Sequence, residues 1–272
     1  LGSFGLPAAG TDEGHKVITI FGLGKVGSVL CGVLAQAGHQ VSGYDPSSEA
    51  LDAVKSGTPL VFEPGLASLL ENNREKLRFS SDAYDAMAGS RLIFIIVPTP
   101  SLRNGDFDNS FVVSALETVG KHIATQGDFI TVVVSSTVSP GSCDQEFVPL
   151  LEAVSGKVVN KDFGLVYSPW FIALGSVIAN MTQPDLVLLG ESAPNIGDTA
   201  LSVIASMTSN RPTIERMSLA SAEVAKIAVN SFVTMKISFA NMLGELCDGV
   251  SGANVDSVSQ ALGADSRIGK SY

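Results

Sequence analysis

Val17-Ile-Thr-Ile-Phe-Gly-Leu-Gly-Lys-Val-Gly27 is a β-branched run that passes without a break into a glycine-rich loop. The residues after it, to about Ala37, repeat apolar positions at helical spacing, and the next extended run, Gln40 to Tyr44, closes on Asp45. Strand, loop, helix and strand therefore follow one another around three glycines. Gly22 permits a tight turn, Gly24 lets a ligand approach the backbone, and Gly27 lets the helix pack closely on the strand. The helix start presents N–H groups to an anion. Gly22, Leu23, Gly24, Lys25, Val26 and Gly27 are thus expected to cradle the pyrophosphate of a dinucleotide. Asp45 is placed to accept hydrogen bonds from the adenosine ribose and to repel a 2′-phosphate, with no Arg or Lys beside it in the sequence. The expected cofactor is NAD rather than NADP. A glycine-rich turn with a helix-capping Asp is the plainer alternative, and the complete strand-loop-helix-strand context argues against it. FAD uses a similar fingerprint, but the rest of the chain does not fit it.

Further along, apolar runs at Leu77 to Ser80, Leu92 to Val97, Phe129 to Ser135, Gly164 to Tyr167 and Leu186 to Leu189 alternate with amphipathic ones. Several are apolar throughout, as in parallel strands covered on both faces. The expected fold class is α/β, a doubly wound Rossmann-type parallel sheet with right-handed crossovers. A last short strand is expected near Thr213 to Arg216. The pattern then changes: Leu219 to about Asp248 contains no Pro and a single Gly, with apolar residues around most of the circumference. It reads as one long, largely buried helix, followed by a shorter one over about Val255 to Leu262. Three regions are expected: residues 1–15 as a tag remnant or flexible arm, 16–216 as the dinucleotide-binding domain, and 217–272 as a central helical region for dimerisation and substrate. A helix apolar on most sides needs a partner surface, and a homodimer through 219–248 is the expected solution.

Composition narrows the classes of function. Of 272 residues, 45% are hydrophobic and 16% charged, with a net charge of −10, which opposes nucleic-acid binding. No apolar run approaches the roughly 18 to 20 residues that span a bilayer, so no membrane partner is expected and the location is read as cytoplasmic. Cys31, Cys143 and Cys247 form no CxxC pair, and His15, His39 and His122 are scattered, so no metal is expected.

Several motifs occur in order after the fingerprint: Phe62-Glu-Pro-Gly-Leu66, Val97-Pro-Thr-Pro100, Ser135-Ser-Thr-Val138 with Pro140-Gly141, Asn180 to Gly190, Ser221-Ala-Glu-Val-Ala-Lys226 with Asn230, and Asp265-Ser-Arg-Ile-Gly269. Together they resemble the UDP-glucose/GDP-mannose dehydrogenase family. The resemblance implies oxidation of the C6 alcohol of a sugar nucleotide to a carboxylate with two NAD in succession, through an aldehyde held on a cysteine. It implies that Thr99, Pro100 and Ser136 line the cofactor, that Thr137 holds a water, and that Lys226 and Asn230 polarise the reacting oxygen. Arg267 would bind substrate in the partner subunit's site. Independently of the resemblance, Lys226 and Asn230 stand at i and i+4 on one helix face, where an ammonium and an amide can stabilise an alkoxide. The plain alternative is a solvated Lys226–Glu223 pair. For Thr137 it is a hydroxyl that caps the next helix, and for Glu63 a turn and helix-start role.

Two departures from the family pattern stand out. Trp170 and Leu174 occupy places where the family keeps two acidic residues. Trp170, with Phe171 beside it, is a candidate for contact with substrate, by stacking on a ring or by plain packing among Phe171, Ile172 and Leu174. In addition, the sequence reaches Tyr272 before the family's Gly-Gly-Ser-Cys segment, so the cysteine-dependent second oxidation is expected to be missing from it. Two other functions fit less of the sequence: a two-electron β-hydroxyacid-type dehydrogenase, and a non-catalytic NAD-binding dimerisation module.

Overall fold

The computed structural model describes residues 17–57 and 62–269; the stretch read as an arm or tag remnant lies outside them. Eight strands form one sheet: β1 (Val17–Phe21), β2 (Val41–Tyr44), β3 (Leu77–Ser80), β4 (Ser90–Ile95), β5 (Ile130–Val134), β6 (Phe163–Tyr167), β7 (Leu186–Glu191) and β8 (Thr213–Ser218). Between them run α1 (Gly27–Gln36), α2 (Ser48–Lys55), α3 (Leu66–Asn72), α4 (Ala83–Met87), α5 (Ser110–Thr125), α6 (Val148–Ser155), α7 (Val177–Thr182) and α8 (Asp198–Ser206). After the last strand come α9 (Leu219–Asp248) and α10 (Val255–Ala264). The strand order is β3-β2-β1-β4-β5-β6-β7-β8. It reverses between β1 and β4, which opens a crevice at the carboxyl ends of those strands.

The expected α/β doubly wound fold is present, with one correction to its parallel sheet. Strands β6 and β7 pair antiparallel, through Val166 with Glu191 and Tyr167 with Gly190. The chain leaves β6 at its carboxyl end and re-enters the sheet from that same end, so this connection needs no crossover. Strand ends also shift: β4 begins at Ser90 and stops at Ile95, and the next residues, Ile96, whose N–H still donates to the Phe21 carbonyl at 2.8 Å, and Val97, line the crevice.

Residues of α1, α2, α3, α7 and α8 share a buried apolar cluster with Ile18, Ile20, Phe94, Val133, Val166 and Leu189 of the sheet. On a separate layer, α5 packs on α6, where Gly120 leaves room for Val154. The buried polar residue of β1 is satisfied, since Thr19 Oγ1 donates to the Ala86 carbonyl at 3.0 Å. Among the described residues no helix is long and apolar enough to cross a membrane.

Two compact units divide at Glu223 and Val224. The first holds the sheet. In the second, the Asn254 side chain accepts from Ser257 N at 2.9 Å and caps α10, and Lys236 Nζ donates to the Ile268 carbonyl at 3.3 Å. The expectation of a largely buried long helix fails for a single chain. Past Lys226 most of α9 is exposed, including Phe232, Met235, Phe239, Met242 and Leu246. Among the described residues, these apolar side chains stay exposed even though α10 shares a cavity with Met235, Phe239 and Leu243.

Close packing inside the first unit gives a direct check. A Cβ on Gly190 of β7 would lie 2.7 Å from Ala222 Cβ and 3.0 Å from Leu219 Cα in the first turn of α9. Gly190→Ala is expected to destabilise the fold by about 1–3 kcal/mol through overpacking, seen as a lower urea midpoint at unchanged slope. An unchanged midpoint would show that this turn does not sit tightly on β7.

Candidate functional site

The glycines of the β1–α1 turn divide the work among themselves as the sequence implies. Gly22 has φ +95° and donates its N–H to the Tyr44 carbonyl at 2.9 Å; a Cβ there would lie 2.1 Å from the Ile96 carbonyl oxygen. At Gly27 a Cβ would lie 1.8 Å from the Gly22 oxygen. Neither position tolerates a side chain. Gly24 differs, because among the described residues nothing lies within 4 Å of where its Cβ would be. It lines the open crevice. No side chain caps the start of α1, and no acidic residue stands in its first turn. A helix end of this kind can take an external anion.

Asp45 is held in place by the backbone around it. Its Oδ2 accepts from Leu23 N at 2.8 Å and its Oδ1 accepts from Ser47 N at 2.9 Å. The carboxylate therefore ties the end of β2 to the glycine loop while keeping lone pairs for a ligand hydroxyl. Both features border a cavity of about 470 Å³ at the crevice, lined by Gly22, Gly24, Lys25, Val26, Tyr44, Asp45 and Pro46, by Ile96 to Pro98, and by Phe111, Ser114, Ala115 and Thr118 of α5. Asp45 has no Arg or Lys beside it in the sequence. In the fold, Lys25 lines the same cavity as Asp45. The α5 wall was missed, although Phe111, Ser114, Ala115 and Thr118 follow the i, i+3, i+4, i+7 spacing of one helix face.

Thr99 and Pro100 stand just past the wall formed by Ile96, Val97 and Pro98, and the Pro100 carbonyl accepts from Asp108 N at 2.8 Å. Ser136 is buried and works on the backbone: its Oγ accepts from Val97 N at 2.9 Å and donates to the Val97 carbonyl at 2.8 Å. Thr137, next to it, is half-buried. Trp170 is half-buried and packs with Ile172 on the main apolar cluster, Phe171 is half-buried, and Leu174 is 66% exposed. Glu63 is buried, and its Oε1 accepts from Ile178 N at 3.0 Å, so the Phe62–Leu66 motif is fastened to the segment after β6. That fits the turn and helix-start reading, extended to a long-range tether.

On α9, Lys226 is buried, and desolvation pushes its ammonium down from 10.5 to about 8. Asn230 is exposed one turn later. Glu223 does not stand on a solvated face: it is fully buried, and its two oxygens accept from Gly141 N and Cys143 N. Its role was missed because a Glu three residues before a Lys reads as half of a surface pair. Arg267 is exposed and closes a local pair with Asp265, Nη2 to Oδ2 at 2.6 Å. Burial holds the thiols of Cys31 and Cys143 protonated, the second also through the nearby Glu223 carboxylate.

A doubly wound sheet with an uncapped glycine-loop helix and an oriented acidic residue at its switch point defines a dinucleotide-binding protein. Residues 16–208 match the NAD binding domain of the UDP-glucose/GDP-mannose dehydrogenase family, and residues 220–272 match its central domain. The chain belongs to that family. It is 35% identical over 235 residues to GDP-mannose 6-dehydrogenase of Pseudomonas aeruginosa, covering 86% of this chain and 53% of the relative. To UDP-glucose 6-dehydrogenase AglM of Haloferax volcanii it is 30% identical over 258 residues, covering 94% and 60%. Among solved structures, a ternary complex of the Pseudomonas aeruginosa GDP-mannose dehydrogenase superposes with a TM-score of 0.85 at 34% identity, covering 90% of this chain and 56% of that one. A UDP-glucose dehydrogenase from Pyrobaculum islandicum gives 0.87 at 31% identity, covering 96% and 59%. The chain spans about half the length of the curated relatives it matches.

The residues of the cavity fit NAD: an open Gly24, an uncapped helix end and a fixed carboxylate. In calorimetric titration NAD is expected to bind at least about tenfold more tightly than NADP, because like charges at Asp45 oppose the 2′-phosphate. Asp45→Ala should narrow the gap. Equal affinities in the unaltered protein would mean that Lys25 neutralises Asp45 and that the carboxylate does not select.

Proposed function

We propose that this chain is the cofactor-binding and central part of an enzyme that oxidises the C6 hydroxyl of a nucleoside-diphosphate hexose with NAD. The observation that carries the reading is the open, uncapped fingerprint beside the fixed Asp45, in a chain whose relatives are named for GDP-mannose and UDP-glucose oxidation. NAD, when bound, accepts the hydride from C6. The protein must then stabilise the oxygen that loses its proton as the carbonyl forms. In this reading the Lys226 ammonium and the Asn230 side-chain amide, on one face of α9, supply donors to that oxygen. Thr137 holds a water, and Trp170, Phe171 and Arg267 contact the sugar nucleotide. Thr99, Pro100 and Ser136 belong to the cofactor side, Ser136 by way of Val97.

The protein is further proposed to act as a homodimer through α9. Phe232, Met235, Phe239, Met242 and Leu246 recur at alternating steps of three and four and are all exposed on the single chain. Such a stripe is the seam of a packed helix pair. Light scattering after gel filtration should give twice the chain mass, and Phe239→Asp should give a monomer. A monomeric unaltered chain at micromolar concentration would remove this part of the proposal.

Activity tests the rest. A panel of GDP- and UDP-hexoses with NAD, followed by NADH absorbance and product mass spectrometry, should show turnover with a sugar nucleotide, and Lys226→Ala should lower the rate by about 10²- to 10³-fold. A Lys226 ammonium with a pKa of about 8 is present below that pH and lost above it, so a step that needs it should slow as pH rises through about 8. Turnover of small hydroxyacids but of no sugar nucleotide would overturn the reading.

A further inference from the structure

Glu223 sits at 0% exposure, where an unpaired carboxylate would be prohibitive. Its Oε2 accepts from Gly141 N at 2.5 Å and its Oε1 accepts from Cys143 N at 2.8 Å. Charge-assisted bonds of this kind are about twice as strong as neutral ones, and these two join the start of α9, one turn in, to a loop far back in the sequence. That loop begins where Ser135 N donates to the Ile95 carbonyl at 2.9 Å. One residue on, Ser136 grips Val97 by both its N–H and its carbonyl. Within the loop, Ser139 Oγ accepts from Phe107 N at 3.1 Å and the Ser139 carbonyl accepts from Ser142 Oγ at 2.7 Å. Gly141 turns the chain at φ +94°, a conformation L side chains rarely adopt. The loop is therefore braced at one end by Glu223 and, at the other, braces Val97 in the wall of the dinucleotide cavity.

We propose that Glu223 is a positioning residue for cofactor binding: by holding Gly141 and Cys143 it fixes the course of the Ser135–Ser142 loop, and through Ser136 it fixes Val97 against the bound dinucleotide. The inference rests on the NAD reading of the cavity. Glu223 itself touches no part of that cavity, so its effect must travel through the loop. A residue that only fills space would be replaced without loss by the isosteric glutamine. A residue that must accept two backbone N–H groups would not, because one end of the glutamine amide is itself a donor.

The test is calorimetric titration of NAD into the unaltered protein, E223Q, S136A and the E223Q/S136A double variant, with L201A in α8 as a variant that loosens the core away from the loop. E223Q and S136A are each expected to weaken NAD by at least about tenfold. The double variant should be little worse than the poorer single one, since both act through one loop. L201A should lower the melting temperature and leave NAD affinity unchanged. Wild-type affinity in E223Q, multiplying losses in the double variant, or an equal loss in L201A would overturn the inference alone. An unaltered protein that does not bind NAD would overturn the cavity reading and the inference with it. Should E223Q fail to fold, amide hydrogen exchange on the unaltered protein decides the matter. NAD should add protection at Gly141 and Cys143, outside the cavity, and no added protection there would overturn the proposal.

Discussion

The contact on which the rest depends is the near-touching of backbone to backbone in the turn from β1 into α1. With Gly22 against the Ile96 carbonyl and Gly27 against the Gly22 oxygen, neither position has room for even a methyl group. This closeness lets α1 start immediately above the sheet with its first N–H groups aimed over the switch point. It also puts Leu23 N within reach of Asp45, so that the glycine loop and the Asp45 carboxylate are fixed by a single turn. Cofactor recognition is in this sense a by-product of how tightly a helix can be packed against a parallel strand.

From that turn the structure extends as a set of tethers between loops at one end of the sheet. Ser136 holds Val97, Glu63 holds the start of α7, and Glu223 holds the loop after β5. Each uses a side-chain oxygen on backbone groups distant in sequence, which fixes loop geometry without adding an element to the core. Arg216 does comparable work at the far edge of the sheet, forking onto Glu191 at 2.7 and 2.8 Å and reaching Asp198 at 2.7 Å. The family's ordered motifs are largely the anchor points of these tethers.

The fold was legible because apolar runs and glycine spacing report local structure directly. The ends of β1 and β3, the length of α9 and the tight packing at Gly22 and Gly27 could all be read from the sequence. What could not be read depends on long-range placement. Periodicity says that β6 and β7 are strands and nothing about their relative direction, which a turn back along one end of the sheet decides. The same pattern that marks α9 as apolar cannot tell a helix buried within the chain from one that stays largely exposed on it. Lys25 in the same cavity as Asp45, the α5 wall and the burial of Glu223 are likewise products of topology. At the candidate site the individual residues were visible as types, and the work they do on one another was not.

That the dinucleotide rests on the start of α1 is tested most directly at Gly24, the one fingerprint glycine whose side-chain space is empty. The phosphorus resonances of NAD should shift on titration with the unaltered protein. Gly24→Val should fold with an unchanged melting temperature and produce no shift, because the added side chain stands where the pyrophosphate must lie. A valine variant that still binds NAD with the original affinity and the original phosphorus shift would contradict this picture of the site.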